Sequence, residues 1–321
     1  MPCRGPDGRL RLGTGARAAV AYEAGPDGGE EPMSGTELPV IAAVDGSSHS
    51  FDALDWAARE AVVRDWPLLI VHVRQLARRT GQEAQEREAG ELLASAVRRV
   101  AQVAPGLRPT TLAPLDFPSA ALVSLSRDAS LLVLGSRGLG GFRSLMLGSN
   151  SLATASMAKC PVVIVHGGRD DEEPAGADAG EVFADIVAGV AADESSEGVL
   201  DFAFGTAAAH RGARLRIVHG WTMFSSMLSG GPVFDRDAAA DAAERSLAEL
   251  TAGWRARFPQ VEVMKEPVNG SATRTLVTAS ATASLTVIGR RRGGESLGLG
   301  LAPVAHTTLT HAMGPVAVVP C

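Results

Sequence analysis

Gly135, Gly138 and the pair Gly148-Ser149 form a spaced set: Gly-x-x-Gly, nine residues, then Gly-Ser. The set follows an apolar run, Leu131-Leu132-Val133-Leu134, and precedes a helical pattern from Asn150 to Lys159. A buried strand that empties into a glycine-punctuated loop and then a helix is suited to holding an anion. Glycines admit φ > 0 and let backbone N–H groups approach a ligand closely. A helix start adds unpaired donors and the positive end of the macrodipole. Ser149 falls at the expected N-cap, where its hydroxyl serves either the helix or a phosphate. The spacing predicts a phosphate chain as the cargo.

Asp45 is the acid at the carboxyl end of the first strand-like run, in Val44-Asp45-Gly46-Ser47. Its carboxylate can accept hydrogen bonds from a ribose or a base amino group, or it can cap the helix that follows. Arg137 and Arg143 flank the loop glycines, either neutralising phosphate oxygens or standing solvated. The loop is not a Walker A motif, because no Gly-Lys-Ser/Thr closes it. Nor is it a dinucleotide fingerprint, since Gly138-Leu139-Gly140-Gly141 has the wrong spacing and follows the fourth strand. No loop lysine, second carboxylate or Ser-His-Asp set supplies machinery for fast phosphoryl transfer, and the chain reads as a binder, not an enzyme. No His/Cys/Asp cluster has metal-ligand spacing, so a divalent ion such as Mg²⁺ is expected to arrive with the phosphates. His72 and His219 end matching strands and read as structural. Cys160, before Pro161, reads as a small buried thiol.

The elements that must position these residues occur twice. Leu54-Asp55-Trp56-Ala57 recurs as Leu200-Asp201-Phe202-Ala203, and Leu69-Ile70-Val71-His72 as Arg216-Ile217-Val218-His219. Leu132-Val133-Leu134-Gly135-Ser136-Arg137 recurs as Thr286-Val287-Ile288-Gly289-Arg290-Arg291, and Pro161-Val162-Val163-Ile164-Val165 as Pro315-Val316-Ala317-Val318-Val319. A period of this length is a domain. The first copy predicts strands over 39–45, 67–73, 107–113, 131–134 and 161–166, alternating with helices over 48–64, 83–103, 118–128 and 149–158. Near-continuous apolar strands covered on both faces imply a parallel, doubly wound α/β sheet. Ligands bind such a sheet beyond the carboxyl ends of its strands, at the switch point. The ends of strands one and four are therefore expected to share one site.

The chain has 321 residues, 45% of them hydrophobic, 21% charged and 4% aromatic, with a net charge of −6. This is room for two domains, with cores built from Ala, Val, Leu and Ile. The acidic balance argues against nucleic acid as a partner. No apolar run approaches the ~18 residues of a membrane span, and the first residues lack the core of a signal peptide, so a cytoplasmic protein is expected. Residues 1–36 are rich in Gly, Pro and Arg and predict a disordered extension, with Met33 a candidate start of translation. The expected organisation is domain one over 37–168, a linker over 169–180 and domain two over 181–321.

With these residues in view, the chain resembles tandem universal stress proteins, over roughly Leu38 to His166 and Val182 to Cys321. The family's ATP-binding signature is matched by Gly135, Gly138, Gly148 and Ser149. Its strand-one aspartate is matched by Asp45 after Val44, and its adenine-reading strand-two end by Val73. The resemblance implies two tandem five-stranded Rossmann-like domains. It also implies ATP, or another adenine nucleotide, held by a stress-response regulator that acts on a protein partner not identified by the sequence. Arg137 and Asn150 complete the expected nucleotide-binding set. One departure is Asp116, ahead of Phe117-Pro118, where the family often has glycine; a side chain there is expected to crowd the base. The alternative reading is a nucleotide-free interaction module.

The second copy reads as degenerate. Asp45 becomes Ala191, Gly138 becomes Arg292, and Gly148-Ser149 becomes Ala302-Pro303. Proline is comfortable in a first helical turn, so the fold is expected to persist while affinity falls. Arg290-Arg291-Arg292 reads as a solvated basic turn, with an alternative anion site as the second option. The last strands, Val162 to Val165 and Val316 to Val319, are expected to meet edge to edge in an intramolecular pseudo-dimer, and a homodimer is possible.

Overall fold

The computed structural model describes residues 38–76, 81–138, 147–166, 185–191, 193–221, 236–290 and 301–321. The expected N-terminal extension with Met33, the linker, Arg143, Arg291 and Arg292 lie outside the described residues.

In the first half the elements are β1 (Val40–Ala43), α1 (Ser48–Arg64), β2 (Leu68–Val71), β3 (Arg74–Gln75), α2 (Gln82–Val103), β4 (Thr110–Leu112), β5 (Leu115–Asp116), α3 (Pro118–Leu125), β6 (Leu131–Gly135), α4 (Ser149–Met157) and β7 (Val162–Val165). In the second half they are β8 (Asp185–Gly189), α5 (Glu197–Ala209), β9 (Arg214–Trp221), α6 (Arg236–Arg257), β10 (Glu262–Asn269), α7 (Ala272–Ala279), β11 (Leu285–Arg290), α8 (Pro303–His311) and β12 (Val316–Pro320). The strands expected in the first copy are all present. The β3–β5 pair, a separate two-stranded sheet, was not foreseen, because two-residue strands carry no readable periodicity.

Apolar runs such as Leu68-Leu69-Ile70-Val71 and Val162-Val163-Ile164-Val165 are buried throughout. Alternate residues of each run face opposite layers. Val40, Ala42, Leu68 and Ile70 pack in one core layer with α1, α2 and α5. Ile41, Leu69, Val71 and Leu132 pack in the other with α3, α4, α7 and α8. Within each half the strands pair in parallel, in the orders β4-β2-β1-β6-β7 and β10-β9-β8-β11-β12.

The two halves form one ten-stranded sheet through β7 and β12, which pair antiparallel. Val163 lies opposite Ala317, its counterpart in the repeat, with Ile164 on Val316 and Val162 on Val318. Pairing centred on equivalent residues is the geometry of a two-fold, self-complementary interface, and it covers two edges that otherwise invite aggregation.

Polar ties reinforce that seam on both faces. On one face, buried Glu60 of α1 pairs with Arg64 and with His210 Nε2, which lies 2.8 Å away at the end of α5. Arg64 also donates to Thr206 Oγ1 at 2.7 Å. On the other face, the His166 ring nitrogens lie 3.0 Å from the carbonyl oxygens of Leu309 and Gly314. Burial holds the His166 pKa below its ordinary 6.5, despite those two carbonyls, and the charges of His49 and Arg137 add to the effect. Glu60 is held below its ordinary 4.5: its His210 and Arg64 contacts outweigh burial, the largest single influence, which acts the other way.

Both shifts make the seam sensitive to acid. Below 6.5 the unfolded chain protonates His166 before the folded one does, so stability falls with pH in that window. The Glu60 contribution, present above 4.5, is lost as pH falls through its lower folded value. Thermal midpoints measured from pH 7.5 down to 5 are expected to decline, and His166→Gln is expected to flatten that decline. An undiminished slope in the variant removes His166 as its source.

Candidate nucleotide-binding cleft

The carboxyl ends of β1 and β6 lie side by side, where the strand order of the first half reverses. After β1, Val44 continues the sheet by donating to Val71 O at 2.8 Å. Asp45 follows, and then Gly46 at φ 93° turns the chain into α1. Only a glycine takes that conformation without strain. Ser47 is the N-cap, its hydroxyl accepting from Ser50 N at 3.2 Å. Asp45 Oδ1 in turn accepts from the Ser47 amide at 3.0 Å and the Ser47 hydroxyl at 2.6 Å. The helix cap weighed for Asp45 thus falls to Ser47, which Asp45 holds in place, and Asp45 also lines the cleft.

After β6, Ser136 donates to Val165 O at 2.9 Å, and its own carbonyl accepts the Gly148 amide at 2.7 Å. Ser151 Oγ donates to Gly135 O at 2.8 Å. These bonds set the first turn of α4 against the end of β6. The N-cap is Gly148, not Ser149. Gly148 O accepts the first intrahelical bond, from Leu152 N, so Ser149 is already helical. No side chain caps this end. The amides of Ser149, Asn150 and Ser151 therefore remain as donors at the cleft. The Ser149 hydroxyl, released from capping, makes no hydrogen bond among the described residues.

The glycines also act differently from expectation. None of Gly135, Gly138 and Gly148 has positive φ; close approach is what requires Gly135 and sets Gly138 against Asp45, whereas a Cβ on Gly148 would meet Ser136 O at an ordinary 3.4 Å. A Cβ on Gly135 would stand 2.7 Å from the backbone of His49, and one on Gly138 would stand 2.3 Å from Asp45 Oδ2. The loop glycine and the strand-one acid are therefore a matched pair. Arg137 is half-buried, with a guanidinium nitrogen 2.8 Å from His49 Nε2.

These residues enclose a cavity of about 630 Å³, within the size range of small-molecule sites. All nine anticipated residues line it: Val44, Asp45, Val73, Gly135, Arg137, Gly138, Gly148, Ser149 and Asn150. Apolar walls come from Ala43, Val71, Pro118, Leu122 and Leu134. Asp116 is not among the lining residues; its carboxylate turns back on its own backbone, accepting from Phe117 N at 2.7 Å.

Arg74, Gln75, Gln85 and Glu88 also line the cleft and were missed in the sequence. For Gln85 a signal existed: it is the polar member of an otherwise apolar stripe with Ala89, Leu93, Ala96 and Val100 on α2. His72 Nδ1 bonds Val44 O at 2.9 Å, and His219 Nδ1 bonds Val190 O at 3.1 Å. Both are structural, as read. Cys160 is buried, its thiol pushed up to about 12 by desolvation, which makes it inert.

In the second half the scaffold survives without the acid and with one helix-start amide fewer. Ala191 N–H bonds Ser196 Oγ at 2.9 Å, as Asp45 N–H bonds Ser50 Oγ at 3.3 Å, but the carboxylate is gone. Pro303 occupies the first helical position of α8, so the helix forms while the amide corresponding to Ser149 is absent. Arg290 corrects the expectation of a solvated turn. It is buried, and its guanidinium donates to Ala155 O at 3.3 Å and Ala158 O at 2.7 Å in the other half.

The pairing of Gly138 with Asp45 yields a double-mutant cycle. Gly138→Ala is expected to destabilise by about 1–3 kcal/mol through overpacking. Asp45→Ala should relieve most of that cost, a coupling of about 1 kcal/mol or more. Chemical denaturation of the four proteins measures it, and additive costs refute the contact.

The model of the universal stress protein family matches residues 38–166 and again 183–320. A universal stress protein of Mycobacterium tuberculosis (strain ATCC 25618 / H37Rv) is 33% identical over 294 residues, covering 87% of this chain and 96% of its own. One of Mycolicibacterium smegmatis is 30% identical over 299 residues, covering 89% and 98%. The crystal structure of a universal stress protein from Archaeoglobus fulgidus DSM 4304 superposes with a TM-score of 0.67 at 18% identity, covering 88% of this chain and 98% of that one. By its two family matches and its relatives along nearly their whole length, the chain belongs to the universal stress protein family.

Proposed function

We propose that the amino-terminal half holds an adenine nucleotide, ATP with Mg²⁺ carried on its phosphates, while the carboxy-terminal half holds none. The observation that carries this reading is the convergence on one cavity of three uncapped α4 amides and the Asp45 carboxylate. Amides at a helix start present donors and a positive end to phosphate oxygens. Asp45, across the cleft mouth from them, suits ribose hydroxyls, which donate to a carboxylate. The apolar walls and the end of β2 at Val73 suit a planar base. Arg137 stands at the cleft as the cation available to the phosphates.

The same inventory favours binding over turnover. Among the described residues, no group of three or more His, Cys, Asp or Glu is placed to hold a metal ion. Asp45 is already engaged by Ser47, an arrangement that orients it as an acceptor and not as a general base. We therefore read the protein as a cytoplasmic stress-response regulator whose occupancy is sensed by a protein partner, with homodimerisation open to the assembled chain. The nucleotide-free alternative drew on Asp116, which is not among the residues lining the cavity, and on the substitutions in the second half, which remain in its favour.

Isothermal titration of the full chain with ATP and Mg²⁺ is expected to saturate at one site per chain. Asp45→Ala should weaken binding by ~10–150-fold, the loss of a charged hydrogen-bond acceptor. Ser149→Pro, which imitates the second half, should abolish it. No heat with the wild-type chain, and no nucleotide in its acid extract, overturns the reading.

A further inference from the structure

Arg290 ends β11 at the point where the first half has Ser136. In the first half that residue stays within its own fold, Ser136 O receiving the Gly148 amide. In the second half the side chain crosses the seam and meets the carboxyl end of α4. We propose that Arg290 is a positioning residue for the cleft of the opposite half. By clasping the last carbonyls of α4, it holds the helix's first turn in place for phosphate. The proposal rests on the reading of that cleft as a nucleotide site.

The helix needs such an anchor. With nine residues it is about 13 Å long at 1.5 Å per residue, shorter than the ~12–15 residues at which an isolated helix becomes even marginally stable. Of its side chains only Thr154 and Ala155 are buried. Its amino end is stitched to β6 through Gly148 and Ser151. At its carboxyl end Ala158 N–H returns to Thr154 O, and the carbonyls of Ala155 and Ala158 are met from the second half. Arg290 meets these two with both terminal nitrogens, using a planar fork that lysine lacks.

Charge reinforces the geometry. A cation at a helix carboxyl end complements the macrodipole, and an anion at the amino end does the same. Arg290 is 4% exposed, so solvent screens it little. The phosphate chain and Arg290 then occupy opposite ends of one short dipole, each favouring the helix that the other requires. A helix fixed before the ligand arrives spares the ligand the cost of ordering it.

The test uses the full chain, with Arg290→Met and Arg290→Lys beside wild type. Hydrogen exchange of the α4 amides is followed without ligand, and affinities for Mg-ATP and for adenosine are measured by calorimetry. The expected result is faster α4 exchange in Arg290→Met and ATP binding weaker by roughly tenfold, within the usual range of coupling between sites. Adenosine, which lacks phosphates, should bind as before, and Arg290→Lys should fall between. If Arg290→Met does not fold, Arg290→Lys carries the comparison. Unchanged α4 exchange overturns the anchor, and unchanged ATP affinity with a loosened α4 overturns its link to the cleft. Equal weakening of ATP and adenosine shows a general structural role and overturns positioning. A wild-type chain that binds no ATP rejects the nucleotide reading itself and positioning with it, a result distinguished by its appearance before any substitution.

Discussion

The antiparallel pairing of β7 with β12 is the constraint from which the rest of the molecule follows. Each is the last strand of its half, and each alone would leave a row of unpaired backbone groups at a sheet edge. Joining them about Val163 and Ala317 removes both edges and continues the two apolar layers across the seam. It also decides which helices meet. α1 lies against the end of α5, so Glu60 reaches His210. The carboxyl ends of α4 and α8 lie against the opposite half's strand ends, so Arg290 reaches Ala158 and His166 reaches Leu309. The last helix of each half is therefore tied by a side chain of the other.

Within this symmetric frame the two halves have diverged in their chemistry while keeping the turn after the first strand. Ser196 receives the Ala191 amide as Ser50 receives that of Asp45, so the turn after the first strand of each half survives loss of the acid. The close approach of Gly138 to Asp45 Oδ2 explains why two substitutions in the second half belong together. Once Ala191 replaces the acid, the position equivalent to Gly138 no longer has a carboxylate oxygen to accommodate, and arginine stands there in the sequence. Pro303 likewise costs α8 nothing, because a first-turn amide has no helical partner to lose.

The fold was legible because its signals were long. Apolar runs such as Leu131–Leu134, punctuated at domain-length intervals and repeated, admit few arrangements other than two doubly wound sheets. The membership of the cleft was legible for the same reason, since strand ends are where such sheets bind. What could not be read was the physical role of each member. Positive φ and close approach both demand glycine, and only coordinates show that Gly46 answers to the first while Gly135 and Gly138 answer to the second. Ser149 and Gly148 both suit a cap, and one residue of register separated them. Arg290 was misread because a run of three arginines looks solvated from within its own half. Its acceptors lie more than a hundred residues away, beyond the reach of local pattern. The contact that turns the Asp116 carboxylate back on Phe117 N is likewise one that sequence spacing does not encode.

A copy without the acid, kept beside one that retains it, invites the view that it is a spectator. The seam argues otherwise. α4 serves the cleft with one end and the second half with the other, so any ligand that stabilises its first turn also stabilises the segment that Arg290 holds. Coupling of this kind is reciprocal: whatever the tie contributes to binding, binding must return to the tie. A continuous ten-stranded sheet leaves little freedom for the halves to swing apart. If the first-half cleft takes a nucleotide as proposed, the physical output open to such a molecule is a change in the stiffness of its seam, on the face where α4 and α8 end, and not a hinged opening.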